Sequence, residues 1–186
     1  MVEKIALSEH WFSLRNYIFD YQVNEHHWQR QQREVFDKGD GATVLLYNLE
    51  DYKVVLTKQF RLPSYLNQNP DGMLIETCAG VLEGDSPIVC ITKEILEETG
   101  FKLDNVEPIF NAYMSPGAVT ELIHFFVASY NQTNKVSEGG GLLHEEEHIE
   151  VLEIDFDKAY AMIGSGEIKD GKTIMLLQHA KLNIFV

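Results

Sequence analysis

The chain has 186 residues, 45% hydrophobic and 11% aromatic, which suits one domain with a modest extension and allows a real core. Its 15 Lys and Arg stand against 29 Asp and Glu, a formal charge of −14. So acidic a chain, without a basic stripe, is a poor non-specific binder of nucleic acid or anionic membrane, although divalent cations would let it handle an anionic substrate.

The opening residues Met1-Val-Glu-Lys-Ile lack the basic end and apolar run of a signal peptide. No apolar stretch approaches the roughly 20 residues of a membrane span. Cys78 and Cys90 make no disulfide framework, and both lie in apolar surroundings that suit reduced packing residues. These features lead us to expect a cytoplasmic globular protein.

The aromatic-rich segment Trp11–Tyr21 reads as a strand, and the polar run from Gln22 to Gln32 as a turning connection. Arg33-Glu-Val-Phe-Asp-Lys ends at the turn signal Gly39-Asp-Gly41. Ala42–Asn48 and Lys53–Arg61 form a hairpin pattern around Leu49-Glu50-Asp51. Leu62–Gly72, with two prolines and two asparagines, reads as a loop, and Met73–Ala79 as a short strand.

Ser86–Glu98 is the clearest helix. Ser86 suits the N-cap, Pro87 the first helical position and Gly100 the residue past the end. Ile88, Ile91 and Ile95 recur at helical spacing and predict a core-facing stripe. Strands follow at Val106–Met114, Leu122–Tyr130 and Ile149–Ile154, and helices at Asp157–Ser165 and Thr173–Ile184. The Gly139-Gly-Gly141 run marks a loop. Strands mixed with helices predict an α+β class.

The chemistry concentrates on the Ser86–Glu98 helix. Glu94 and Glu98 are four residues apart and share a face, with Glu97 alongside. Like charges at that spacing repel, and the helix dipole disfavours them at a C-terminal end. A hard divalent cation, which prefers oxygen ligands, would reverse both penalties. The plain alternative is a solvated acidic face with Lys93–Glu97 as an ordinary i,i+4 pair.

The surrounding residues decide between the two. Gly80-Val-Leu-Glu-Gly-Asp85, seven residues, then Lys93-Glu94-Ile95-Leu96-Glu97-Glu98-Thr99-Gly100-Phe101 closely resembles the Nudix box. Here four residues rather than five follow Gly80, Asp85 stands in place of Glu, and Lys93 in place of Arg, which keeps the charge but loses a bidentate fork. The resemblance implies an α/β/α sandwich with a mixed sheet, preceded here by an N-terminal antiparallel strand region. It also implies Mg²⁺, with Mn²⁺ as a substitute, held by Glu94, Glu98, Glu147 and the carbonyl of Ala79. Glu97, paired to Lys93, would support these ligands. Gly80 would let that carbonyl turn inward by accepting strained backbone angles.

Resemblance continues through Arg33-Glu34, Lys58-Gln-Phe-Arg61, Met114–Glu121, Glu145–Glu147 and Gly166–Thr173. These segments resemble the nucleoside-diphosphate-sugar branch, nearest the bacterial hydrolases of GDP-mannose, with ADP-ribose or another ADP-sugar as the alternative substrate. A non-catalytic binding module is the reading from another class, and the retained Glu94, Glu97 and Glu98 argue against it. Glu98, Glu94, Glu97, Glu147 and Glu121 are the expected catalytic residues, and Glu121 or Glu147 takes the proton of the attacking water. The substrate would contact Trp11, Arg33, Glu34, Arg61, Gly80, Val81, Glu121, Glu146 and Lys172. Arg61 matches phosphate bidentately, its alternative being an exposed strand-end arginine. Trp11 either stacks on the base or packs in the core. His148 stands where similar members carry Asp. The three glycines either close the Glu147 loop or form a plain flexible connection. The resemblance implies a homodimer joined through residues 1–41, with residues 42–186 as the hydrolase domain.

Overall fold

The computed structural model describes residues 1–142 and 147–186, in two compact units: residues 1–40 with 112–123, and residues 41–111 with 124–186. The first unit carries a three-stranded antiparallel sheet of β1 (Glu3–Glu9), β2 (Ser13–Asn24) and β3 (His27–Asp37), in that order. The polar run Gln22–Gln32 is therefore mostly strand rather than a connection. Only Glu25 and His26 turn the chain, and the His26 N–H closes that turn on Asn24 Oδ1 at 3.0 Å. A hairpin wet on both faces needs no hydrophobic alternation, which explains why this one is invisible to periodicity. Directly opposed charges help to hold its register: Arg30 forks onto Asp20 across the ladder.

In the second unit, β4 (Gly41–Asn48) and β5 (Lys53–Phe60) form the expected hairpin. Residues 62–72 hold a short helix, α1 (Leu62–Leu66), in place of the expected loop. Pro63 in its first turn is pre-set for helical φ, and the Ser64 and Asn69 side chains tie the helix to the backbone of Gly72 and Met73. The next strand is split: β6 (Met73–Glu76) pairs with β5, and β7 (Cys78–Val81) crosses to β4. The switch occurs at Thr77. Its N–H leaves the ladder and is satisfied by Thr173 Oγ1 at 2.7 Å.

α2 (Pro87–Glu94) runs into a π-helical segment, Ile95–Thr99, and Gly100 ends it at φ 77°. Ser86 has N-cap backbone angles but makes no side-chain cap bond. Ile91 and Ile95 are fully buried, whereas Ile88 is 42% exposed and lies outside the core-facing stripe expected for it. β8 (Glu107–Tyr113), β9 (Leu122–Ser129) and β10 (Glu150–Asp155) complete a seven-stranded sheet, ordered β10-β5-β4-β9-β8 with β6 and β7 alongside β5 and β4. α3 (Phe156–Ser165) and α4 (Gly171–Asn183) come last, each capped by an aspartate side chain, Asp155 and Asp170.

Alternation along β4 sorts the layers. Ala42, Val44 and Leu46 pack with Ile91 and Ile95 on the α2 face. Thr43 projects to the other face, where it bonds Thr77 and meets the α4 side. Helices thus cover both faces of the sheet, an α+β fold. Among the described residues no helix is long and apolar enough to cross a membrane.

Candidate active site

β7 presents the centre of the site. Ala79 and Gly80 pair with Thr43 and Ala42 in the β4 ladder, and the Ala79 N–H donates to Glu98 Oε2 at 3.3 Å. Glu98 is only 2% exposed. Burial pushes its carboxyl up to about 8, and the charges of Glu94 and Glu147 push the same way. Hydrogen bonds from the Cys78 thiol and the Ala79 N–H oppose the shift. Cys78 is itself fully buried, which holds its thiol protonated and able to donate.

Gly80 serves the site by its small size. It has no positive φ, so the strained-angle role expected for it does not hold. A Cβ built there would lie 2.6 Å from Cγ of Glu94, so Glu94 reaches across the strand through space that only glycine leaves open. Glu97 pairs with Lys93 at 3.7 Å, as expected.

Glu147 lies beside the glycine run. The N–H groups of Gly140 and Gly141 donate to the carbonyls of Glu98 and Glu97 at 2.8 and 3.1 Å, satisfying orphan carbonyls at the helix end. Glu147 Oε2 then accepts the Leu142 N–H at 3.0 Å. At Gly141, φ is +80° and a Cβ would lie 2.6 Å from Glu147 Oε2. The glycine run is a fitted cap on the helix end, with Gly139, Gly140 and Gly141 all at positive φ. Glu146 lies outside the described residues.

Glu94, Glu147 and the strand of Ala79 therefore lie close enough to act on the buried Glu98 carboxylate. Among the described residues no three acidic, histidine or cysteine side chains are drawn into a closed coordination cluster. A buried, disfavoured carboxylate with two further carboxylates acting on it fits a hard divalent cation, which prefers oxygen ligands and would neutralise the charge that burial penalises.

A second group of charges surrounds Glu76, a buried carboxylate absent from the residues expected on sequence grounds. Arg61 Nε and Nη2 both donate to Glu76 Oε2 at 2.8 Å. Lys172 Nζ lies 3.9 Å from Glu76 Oε1 and 2.6 Å from Asp170 Oδ1. The signal that could have found it is a lone glutamate in the otherwise apolar Met73-Leu-Ile-Glu-Thr-Cys-Ala, since carboxylates are seldom fully buried unless paired. Val81, half-buried on β7, accepts the Cys90 thiol on its carbonyl at 3.4 Å.

The remaining expected residues belong to the first unit. Glu121 is ion-paired with Lys38, a partner not anticipated from sequence. Asp37 accepts from Thr120 and Asp40 from the Leu122 N–H, stitching the same two segments together. Arg33 and Glu34 are exposed neighbours on β3, so their side chains leave opposite faces of the sheet. Arg33 bonds the Gln32 carbonyl and Gln31 Oε1. Trp11 is 89% exposed, which removes its core-packing alternative.

This arrangement of a strand, a short loop and a carboxylate-bearing helix agrees with comparison to known proteins. The NUDIX domain model matches residues 37–177, and the chain belongs to the Nudix hydrolase family, whose members generally use a divalent metal. A second model, described as the GDP-mannose pyrophosphatase NudK N-terminal domain, matches residues 1–36. The chain is 56% identical to the GDP-mannose pyrophosphatase of Pectobacterium atrosepticum over 97% of its own length and 92% of that protein's. It is 54% identical to the Yersinia enterocolitica protein of the same description (95% and 92% covered) and 52% identical to that of Yersinia pestis (96% and 89%).

Proposed function

We propose that this enzyme hydrolyses the pyrophosphate bond of GDP-mannose, giving GMP and mannose 1-phosphate, with Mg²⁺ as its metal and Mn²⁺ as a substitute. The observation that carries the reaction type is Glu98, buried beside Ala79 with Glu94 and Glu147 close enough to perturb it. The substrate assignment is supported by the relatives' printed activity and by a likeness that runs through both units.

Glu94, Glu98, Glu147 and the Ala79 carbonyl would hold the metal. When bound, it supplies charge neutralisation for the diphosphate and lowers the pKa of water. The chain's own residues do the rest. The Ala79 N–H and Cys78 thiol fix the Glu98 carboxylate, and the Leu142 N–H holds the Glu147 carboxylate. Arg61 and Lys172 bind the diphosphate oxygens, the guanidinium in a fork that matches phosphate. Glu147 or Glu121 accepts the proton of the attacking water. Arg33, Glu34, Glu146 and Trp11 contact the nucleoside and sugar, with Gly80 and Val81 lining the phosphate side.

Residues 1–41 serve as the dimer arm and 42–186 as the hydrolase domain. Exposed apolar side chains on the first unit's sheet, Ile5, Leu7, Tyr21, Val23 and Trp28 among them, support a homodimer. Two buried free thiols suit a reducing cytoplasm.

The test is a panel of nucleotide sugars incubated with Mg²⁺ or EDTA, with products identified. GMP and mannose 1-phosphate, formed fastest and only with metal, are expected. Faster release of AMP from ADP-ribose at equal concentration would transfer the assignment to ADP-sugars, and turnover in EDTA would remove the metal.

A further inference from the structure

We infer that Glu76 is a positioning residue that aims Arg61 and Lys172 at the substrate diphosphate, an inference that rests on the phosphate role proposed above for those two cations. Glu76 lies at the end of β6, where the strand leaves β5 and crosses to β4, and its side chain is 5% exposed. Both Arg61 contacts fall on one oxygen, Oε2, from Nε and Nη2. Nη1 takes no part in either contact, and the Arg61 side chain is 42% exposed. The other oxygen, Oε1, faces Lys172 Nζ at 3.9 Å, and Asp170 Oδ1 holds the same ammonium at 2.6 Å. One buried carboxylate thus addresses two cations that come from the end of β5 and from α4.

The frame around Glu76 is closely hydrogen-bonded. Thr77, its neighbour, donates its N–H to Thr173 Oγ1, and the Thr173 hydroxyl donates to Asp170 Oδ2 at 2.7 Å. Thr43 donates its hydroxyl to the Cys78 carbonyl at 3.1 Å, so Thr77 must be the donor in the 2.8 Å Thr43–Thr77 contact. A buried run of hydroxyls therefore pins the start of α4, with Asp170 and Lys172, to the bend that carries Glu76. The same run reaches Cys78, the residue before Ala79.

Charge balance gives the arrangement its direction. Arg61 and Lys172 against Glu76 and Asp170 sum to zero, so the group does not draw phosphate by net charge. Its contribution is pre-orientation, because a guanidinium already held by a fork loses less freedom on meeting its ligand. Glu76→Gln would free that fork while making the group more positive. A positioning role predicts weaker substrate binding, whereas a carboxylate that merely damped the cations predicts tighter binding.

The experiment measures KM and kcat for Glu76→Gln in the Mg²⁺-loaded enzyme and in an Arg61→Ala/Lys172→Met background. The expected result is a KM raised about tenfold or more, the scale of a charged hydrogen bond, with kcat within a few-fold of the parent. In the Arg61→Ala/Lys172→Met background, Glu76→Gln should add nothing, because its effect passes through those cations. Glu76→Asp, which keeps the charge on a shorter reach, should recover most of the loss and serves if Glu76→Gln does not fold. An unchanged or lowered KM, or an equal further rise in the double background, overturns the inference. If Arg61→Ala and Lys172→Met themselves leave KM unchanged, the phosphate role of the cations fails first and takes this inference with it.

Discussion

The Ala79 amide and Glu98 Oε2 meet at 3.3 Å, so the strand expected to offer the metal a carbonyl also holds, by its N–H, the carboxylate proposed as a ligand. The link predicts that Glu98→Gln, whose amide oxygen can still accept the Ala79 N–H, keeps the fold while losing a charge proposed to hold the metal. We expect kcat to fall by at least about a hundredfold, with circular dichroism unchanged. A variant within tenfold of the parent would remove Glu98 from the ligand set.

Acid–base linkage at the same residue sets a pH dependence. Folding raises the Glu98 carboxyl from 4.5 to about 8. A raised pKa means that the folded state keeps its proton after the unfolded chain has lost it. This stabilisation is complete below about 4.5 and drains away as pH rises toward 8, a change on the order of a few kcal/mol. Metal-free wild type should therefore lose more thermal stability than Glu98→Gln between pH 5 and 8. Metal binding should release a proton near pH 7, readable by calorimetry in two buffers of different ionisation enthalpy.

Gly80→Ala tests the space that Glu94 occupies. The new Cβ would press on the Glu94 side chain, 2.6 Å from Cγ, without demanding a new backbone angle. Metal affinity should drop by about tenfold or more, like other losses of ligand orientation, while the melting temperature moves by only a few degrees. Unchanged metal titration would show that Glu94 has another route to the site.

Dimerisation can be tested at β1. Ile5 and Leu7 are 38% and 48% exposed on a strand that buries none of its residues. Light scattering should give a dimer for the wild type and a shift toward monomer for Ile5→Asp/Leu7→Asp. A fully active wild-type monomer would exclude the arm as an interface.

Packing at the chain end gives a stability test remote from the site. Phe185 stacks on Phe156 with ring centres 4.0 Å apart and is 5% exposed. Phe185→Ala should cost about 3 kcal/mol in urea unfolding, with KM unchanged.

What can be read from the sequence divides along a physical line. The shared helix of Glu94, Glu97 and Glu98 and its end at Gly100 are legible because helix periodicity and capping are local rules. The hairpin of β4 and β5 is legible from two apolar runs on either side of Leu49-Glu50-Asp51. Glu76, Lys38 and the Thr43–Thr77–Thr173 chain are not, since each depends on partners brought together only by the fold. Gly80 stands out by motif but for the wrong reason, because a close approach leaves no trace in local sequence. Ile88 keeps helical spacing yet faces outward, showing that periodicity marks a face without fixing its width.

The π-helical segment after Glu94 has a consequence for how one helix serves two neighbours. In a straight α-helix, residue i+4 overshoots residue i by about 40°, so Glu98 would stand askew of Glu94. A turn with i→i+5 bonds holds more residues, so each residue in it advances by a smaller angle. Ile91 and Ile95 are bedded in the core, and Glu98, inside the widened turn, is buried as well, close enough for the Glu94 charge to act on it. The widened turn sets the bearing of the acid on the screw: removing one residue between 95 and 99 would swing Glu98 round the axis while Ile91, upstream, keeps its seat.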